Sequence, residues 1–125
     1  MSDGPVARVI VCRVGTRRFT VPVAAVREVA TGPGVIRIPG AAAAIRGVVN
    51  VRGGLVTVVS GAALLAEPES GASEYLLVLA MYDARVAIEV DDVEELHTTE
   101  TAGRLPMLDV EGLVRPLFRP EAIKA

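Results

Sequence analysis

A valine-rich run split by a glycine pair, "GVVNVRGGLVTVV" over residues 47–59, is the feature that most constrains how this chain can fold. β-Branched residues suit a pleated, half-buried surface, and glycine supplies the positive φ that a tight reversal needs. The stretch predicts an antiparallel hairpin, Val48–Val51 against Leu55–Val59, with its turn at Arg52–Gly54. The pattern recurs in weaker form along the chain. "ARVIVCRV" and "FTVPV" read as strands joined at "GTRR", with Pro22 marking an edge or a strand end. "EYLLVLAMYDARVAIEV" reads as a second hairpin, and Asp83 suits its bend. "TGPGVIRIPG" is punctuation around a brief extended piece. "VAAVREVA" differs: Val23, Val26 and Val29 recur every third residue, which predicts a short helix or helical turn packed on a sheet. "GAALLAEPES" predicts one or two helical turns ended by Pro68, "DDVEEL" an acidic turn, and "LDVEGLVRPLF" a last strand or hairpin bent at Glu111 and Gly112. Many short strands without regular helical crossovers predict a mostly-β barrel or sandwich rather than a parallel α/β sheet.

A chain of 125 residues, 51% of them apolar, can bury a sizeable core, and one domain over residues 1–125 is expected. The net charge of −2 and only four aromatic rings (Phe19, Tyr75, Tyr82, Phe118) argue against a nucleic-acid binder, which needs clustered cations and stacking platforms. Cys12 is the single cysteine, so no intramolecular disulfide can form, and a reducing, cytoplasmic setting fits. Its place in "VIVCRV" reads as a small buried hydrophobe rather than a nucleophile. The start "MSDGPVARV" lacks the basic and apolar regions of a signal peptide, and no apolar run approaches the roughly 20 residues of a spanning helix. No direct membrane insertion is expected.

Catalytic signals are weak. His97 is the only histidine, in "ELHTTE", and reads as a solvated loop residue rather than a general base. Ser2, Ser60, Ser70 and Ser73 sit in no nucleophile-elbow pattern, and no phosphate-binding glycine motif occurs. Asp91, Asp92, Glu94 and Glu95 lack the alternation and central glycine of a calcium loop and read as a solvated strand end. Arg17 and Arg18 read as an exposed turn tip. The chain is expected to be no enzyme and to carry no metal or cofactor. Arg52 leaves two readings open: an exposed hairpin tip, or an arginine held by Glu28 that fixes the hairpin against "VREV". Spacing alone does not separate them.

The segments "VCRVGTRRFTVPVAAVREV", "RIPGAAAAIRGVVNVRG", "LVTVV" and "AIEVDDVEEL" together resemble the CheW-like family of chemotaxis coupling domains, in order and spacing, over roughly residues 8–96. "GVVNVRG" followed at a distance by "VDDV" is the more specific part of the match. The resemblance implies two small SH3-like five-stranded β-barrel subdomains around a shared apolar core. It implies a cytoplasmic, non-catalytic adaptor, associated with chemoreceptor clusters. Such an adaptor joins the regulatory domain of a CheA-type histidine kinase to a chemoreceptor cytoplasmic tip. The alternative is a small β-barrel binding module for another protein or peptide ligand. Carried over position by position, the resemblance marks Val26, Glu28, Val29, Ile38, Pro39, Asn50, Arg52 and Gly53 as binding or supporting a partner. Two departures are visible. Thr57, Ser60 and Gly61 stand where the family has Pro-x-x-Asp-Leu, which predicts lost local anchors. Asp91 is followed by 34 residues, fewer than in relatives, which predicts a reduced C-terminal part and one smaller barrel.

Overall fold

The computed structural model describes residues 8–31, 35–36, 43–68, 74–98 and 102–118, with the backbone alone at 95–98. In chain order its elements are β1 (Arg8–Val14), β2 (Arg17–Pro22), a 3₁₀ turn (Val23–Ala25), β3 (Val26–Thr31), β4 (Ile45–Val51) and β5 (Gly54–Ser60). Then come α1 (Gly61–Leu65), β6 (Tyr75–Leu79), α2 (Met81–Ala84), β7 (Val86–Val90), β8 (Asp92–Thr98), α3 (Val110–Val114) and a closing 3₁₀ turn (Arg115–Phe118). The strands form two sheets, one ordered β2-β1-β8 and one ordered β3-β6-β7-β5-β4. Neighbours pair antiparallel except β5 and β7, which run parallel. The expectation of a mostly-β fold with two β subdomains holds; among the described residues one sheet has five strands and the other three.

Burial explains why some apolar runs alternate and others do not. In β6, Leu77 and Leu79 face a core shared with Ile10, Cys12, Val14, Phe19 and Val21 of the three-stranded sheet. Leu76 and Val78, on the opposite face of β6, enter a second cluster with Val49, Val56, Val58 and Ala87. Both faces of this strand are covered, so its sequence reads as a continuous apolar run. The five-stranded sheet curls around the second cluster. Ala30 of β3 and Val51 of β4, from its two edge strands, pack against the same buried residues.

The hairpins form as expected. β4 and β5 leave two residues in their turn, with Val51 opposite Gly54. β6 pairs with β7 across α2, whose inner residues Tyr82, Asp83 and Ala84 have positive φ rather than helical geometry. Pro22 ends β2, an edge strand. The helical turns of "GAALL" form as α1, and Ser60 caps it by accepting the Ala63 N–H at 3.1 Å. Gly61 lies so close to the Glu89 carbonyl that a Cβ there would meet it. Ser60 and Gly61 thus supply the local anchoring whose loss their departure from the family pattern predicted.

Three expectations are corrected. "VAAVREVA" is a 3₁₀ turn leading into strand β3, not a helix on the sheet. A register shift between Val26 and Glu28 inserts an extra residue, Arg27, and this bulge converts strand alternation into an apparent three-residue period. "DDVEEL" is not a turn. From Asp92 onward it is β8, with His97 opposite Val9 on the strand rather than in a loop. "LDVEGLVRPLF" is α3 and a 3₁₀ turn. Val110 and Val114, four apart, are buried in the shared core, and Asp109 caps the helix by accepting the Gly112 N–H at 3.0 Å.

The reduced C-terminal part has a structural counterpart. Among the described residues the first sheet holds three strands, and Pro106–Leu108 runs beside β2 in place of a further strand. Thr20 N–H donates to Pro106 O at 2.8 Å, and Leu108 N–H to Thr20 O at 2.9 Å. α1 and α3 cover the rest of that side, and Phe118 rests on Tyr82 with ring centroids 5.6 Å apart.

Candidate functional site

The β4–β5 turn places Arg52 at φ 52° and Gly53 at φ 86°. Positive φ at both central positions defines the two-residue hairpin turn whose twist matches its strands. An added Cβ on Gly53 would meet nothing within 4 Å, so this glycine answers a backbone demand and not a packing one. Asn50 stabilises the reversal locally: its Oδ1 accepts the Gly53 N–H at 2.9 Å. Arg52, in a conformation unfavourable to a residue with a Cβ, reaches across to β3. Its Nε donates to Glu28 Oε1 at 2.9 Å and Oε2 at 3.0 Å.

Of the two readings of Arg52, parts of both hold. The arginine is held by Glu28, yet it is also an exposed tip: its side chain is 80% accessible, against 25% for Glu28. An ion pair this exposed stabilises by about 0–1 kcal/mol. Position gives it a role beyond that small energy. Glu28 lies on one edge strand of the five-stranded sheet and Arg52 at the tip of the other, so the pair clasps the curled sheet across its seam.

The bulge in β3 sets the two valines taken together from sequence opposite Leu79 and Leu77, on one face of the sheet. Val26 is half-buried against the shared core, while Val29 is 39% exposed. Ile38 and Pro39 lie outside the described residues. Beside the clasp runs a cleft of about 470 Å³, floored by Val51, Val56 and Val78 and rimmed by Arg27, Arg52, Asp83 and Arg85. Leu55, also on its wall, is 67% exposed. Sequence reasoning missed Arg27, Leu55 and Arg85. The signal for Leu55 was present, since an apolar residue straight after a turn glycine pair projects from a hairpin tip.

Two buried polar arrangements were missed as well. Arg46, which interrupts "AIRGVV", donates from Nε to Glu89 Oε1 at 3.1 Å, and both side chains are largely covered. Asp91 is buried, accepts the Gly15 N–H at 2.8 Å and lies 3.7 Å from Arg13. It belongs to the fold rather than to a solvated strand end. Arg17 and Arg18 are likewise more than a free tip: Arg17 donates to Leu65 O at 3.0 Å, and Arg18 grips Glu94 through two nitrogens. Cys12 is fully covered, and its thiol is pushed up to about 12, first by burial and then by the charges of Glu94 and Asp92. A thiol so placed is a poor nucleophile.

Fold and site together define a class: a two-sheet β-domain whose exposed features are a clasped hairpin and an arginine-rimmed surface cleft. The chain belongs to the CheW-like domain family, whose profile matches residues 8–123. It is similar in structure to the scaffolding protein TtCheW from Thermoanaerobacter tengcongensis, with a TM-score of 0.68 and 18% sequence identity. That match covers 75% of this chain and 66% of the scaffolding protein, so the chain spans just under two thirds of its length. At this identity the likeness establishes the fold. No curated protein matches the chain.

Proposed function

We propose that the protein is a non-catalytic chemotaxis-type adaptor, acting over residues 1–125 as one CheW-like unit in the cytoplasm at chemoreceptor clusters. It couples the regulatory domain of a CheA-type histidine kinase to a chemoreceptor cytoplasmic tip. Membership of the family supports the class, and one observation carries the placement of the site: the clasp and its cleft leave apolar and cationic groups together at the surface. Leu55 is exposed on the cleft wall, and among the described residues Arg27 and Arg85, on its rim, make no side-chain hydrogen bond or ion pair. An exposed apolar group beside exposed guanidinium groups suits a protein partner, because interface cores are enriched in apolar residues and arginine. Glu28, Asn50 and Gly53 hold this surface in shape, and Arg52 both holds and presents it. Val26 supports β3 from below, and the family resemblance alone adds Ile38 and Pro39, which lie outside the described residues.

The test is calorimetry of the protein against a kinase regulatory domain and, separately, a receptor-tip fragment from the same genome. Binding to both, weakened at least tenfold by Leu55→Asp with an unchanged melting temperature, is expected. Binding to neither, with capture of an unrelated peptide ligand instead, establishes the alternative reading of a general β-barrel binding module.

A further inference from the structure

Three consecutive non-glycine residues in the turn between β6 and β7 have left-handed backbone: Tyr82 at φ 52°, Asp83 at 56° and Ala84 at 60°. Among the described residues the other non-glycine positions with positive φ, Arg52 and Ala66, stand singly. A Cβ disfavours this conformation at each residue, so such a run persists only where its surroundings hold it. The restraints are specific. Met81 packs against the shared core and Ala84 against the second cluster. Arg85 N–H donates to Tyr82 O at 3.1 Å, and Thr57 N–H donates to Arg85 O at 2.8 Å. The Tyr82 ring leans on Phe118 of the closing 3₁₀ turn with the planes tilted by 59°, a favourable aromatic geometry. The residues so constrained also line the cleft, which takes Asp83, Ala84 and Arg85 into its wall.

We propose that this left-handed turn is a conformational switch that couples the cleft to the C-terminal 3₁₀ turn. In the docked state Tyr82 rests on Phe118, and Asp83 and Arg85 stand on the cleft rim. In the released state residues 82–84 relax to negative φ, Tyr82 leaves Phe118, and the rim loses its Asp83 and Arg85 side. Backbone preference favours release. The ring contact, the packing of Ala84 and the Thr57 hydrogen bond favour docking. A partner that fills the cleft holds the turn docked, and whatever displaces Phe118 weakens that partner by the same factor. The inference takes the cleft as the binding surface of the adaptor reading, yet its test needs no partner, so either can fail without the other.

Amide and methyl NMR on the full chain tests it. In the free protein, relaxation dispersion is expected at the amides of residues 82–85 and at the Phe118 ring, with one shared rate and a released state at about 1–10%. Phe118→Ala should raise that population about fivefold. Phe118→Leu, which keeps apolar cover but removes the ring, should do the same if the alanine variant folds poorly. Asp83→Gly and Ala84→Gly should each lower it about fivefold, because glycine accepts positive φ. Ordinary loosening of a loop by glycine has the opposite sign. The methyl signals of Val51 and Val56, on the cleft floor, should move along one line, one way for the Phe118 variants and the other way for the glycine variants. Absence of exchange at the turn, a rise in exchange in both glycine variants, or cleft methyl signals that ignore both Phe118 variants overturns the proposal.

Discussion

The two sheets cover their apolar faces in different ways. The five-stranded sheet curls onto its own small cluster and is clasped by Glu28 and Arg52. The three-stranded sheet does not close among its own strands. It is lidded by α1, α3 and the Pro106–Leu108 segment, and it relies on the core it shares with the larger sheet. Closure by strands is local and tolerates a weak clasp. Closure by helices depends on caps, glycine approach and side-chain fit, so single substitutions there should be felt more.

The largest expected effect concerns Cys12, on the central strand of the open sheet. Raising the thiol from 9.0 to about 12 cuts the thiolate fraction near neutral pH about a thousandfold. Ellman's reagent should label the native protein at least that much more slowly than the urea-unfolded chain. Rapid native labelling would show the open sheet to be leaky. The sign for stability follows from the raised value. The neutral buried thiol favours folding fully below the ordinary value near 9, and this is lost as pH climbs toward 12. Urea midpoints should fall across that window more steeply than in Cys12→Ala.

Next in size is Leu77→Ala, at the face where the sheets meet. The loss should be about 2–5 kcal/mol, with one cooperative denaturation transition. Two separate transitions would mean that the sheets fold independently. Gly61→Ala forces a methyl group against the Glu89 carbonyl at the junction of α1 and β7 and should cost about 1–3 kcal/mol. Asp109→Ala removes the cap of α3 and should cost about 1 kcal/mol, with faster amide exchange in α3 before any change in β4 or β5. The smallest effect is at the clasp. A double-mutant cycle on Glu28→Gln and Arg52→Gln should return a coupling of about 0–1 kcal/mol. A coupling above 2 kcal/mol would place the pair in a far less exposed setting than its geometry shows.

How far this was legible from sequence depends on how far neighbours in sequence decide the outcome. The β4–β5 hairpin was legible because a glycine pair between β-branched runs has few alternatives, and its ion pair because Glu28 and Arg52 were already candidates. The shape of β3 was not, because one bulged residue, Arg27, shifts every later side chain to the opposite face. β8 was hidden by its charges, since carboxylates on an outer face resemble a solvated turn. α3 was hidden by valine, whose strand preference is overridden when Val110 and Val114 fit one buried stripe. Of the proposed site, the clasp was legible, while the cleft was not. Its walls come from β3, the β4–β5 hairpin, β6 and α2 with Arg85 after it, which are adjacent only after folding.

The pairing of β1 with β8 has a consequence for how the chain is made. β1 is the central strand of its sheet, yet one of its neighbours, Asp92–Thr98, lies near the other end of the sequence. At about 5–20 residues per second, synthesis leaves one side of β1 without that neighbour for roughly 4–17 s. Meanwhile "VIVC" can be shielded on one flank by β2 alone. The hairpin of β4 and β5 can form as soon as it emerges, but the shared core must wait for β6 and β7. A nascent chain of this design is therefore most exposed to misassociation at β1, and β8 is also its folding switch.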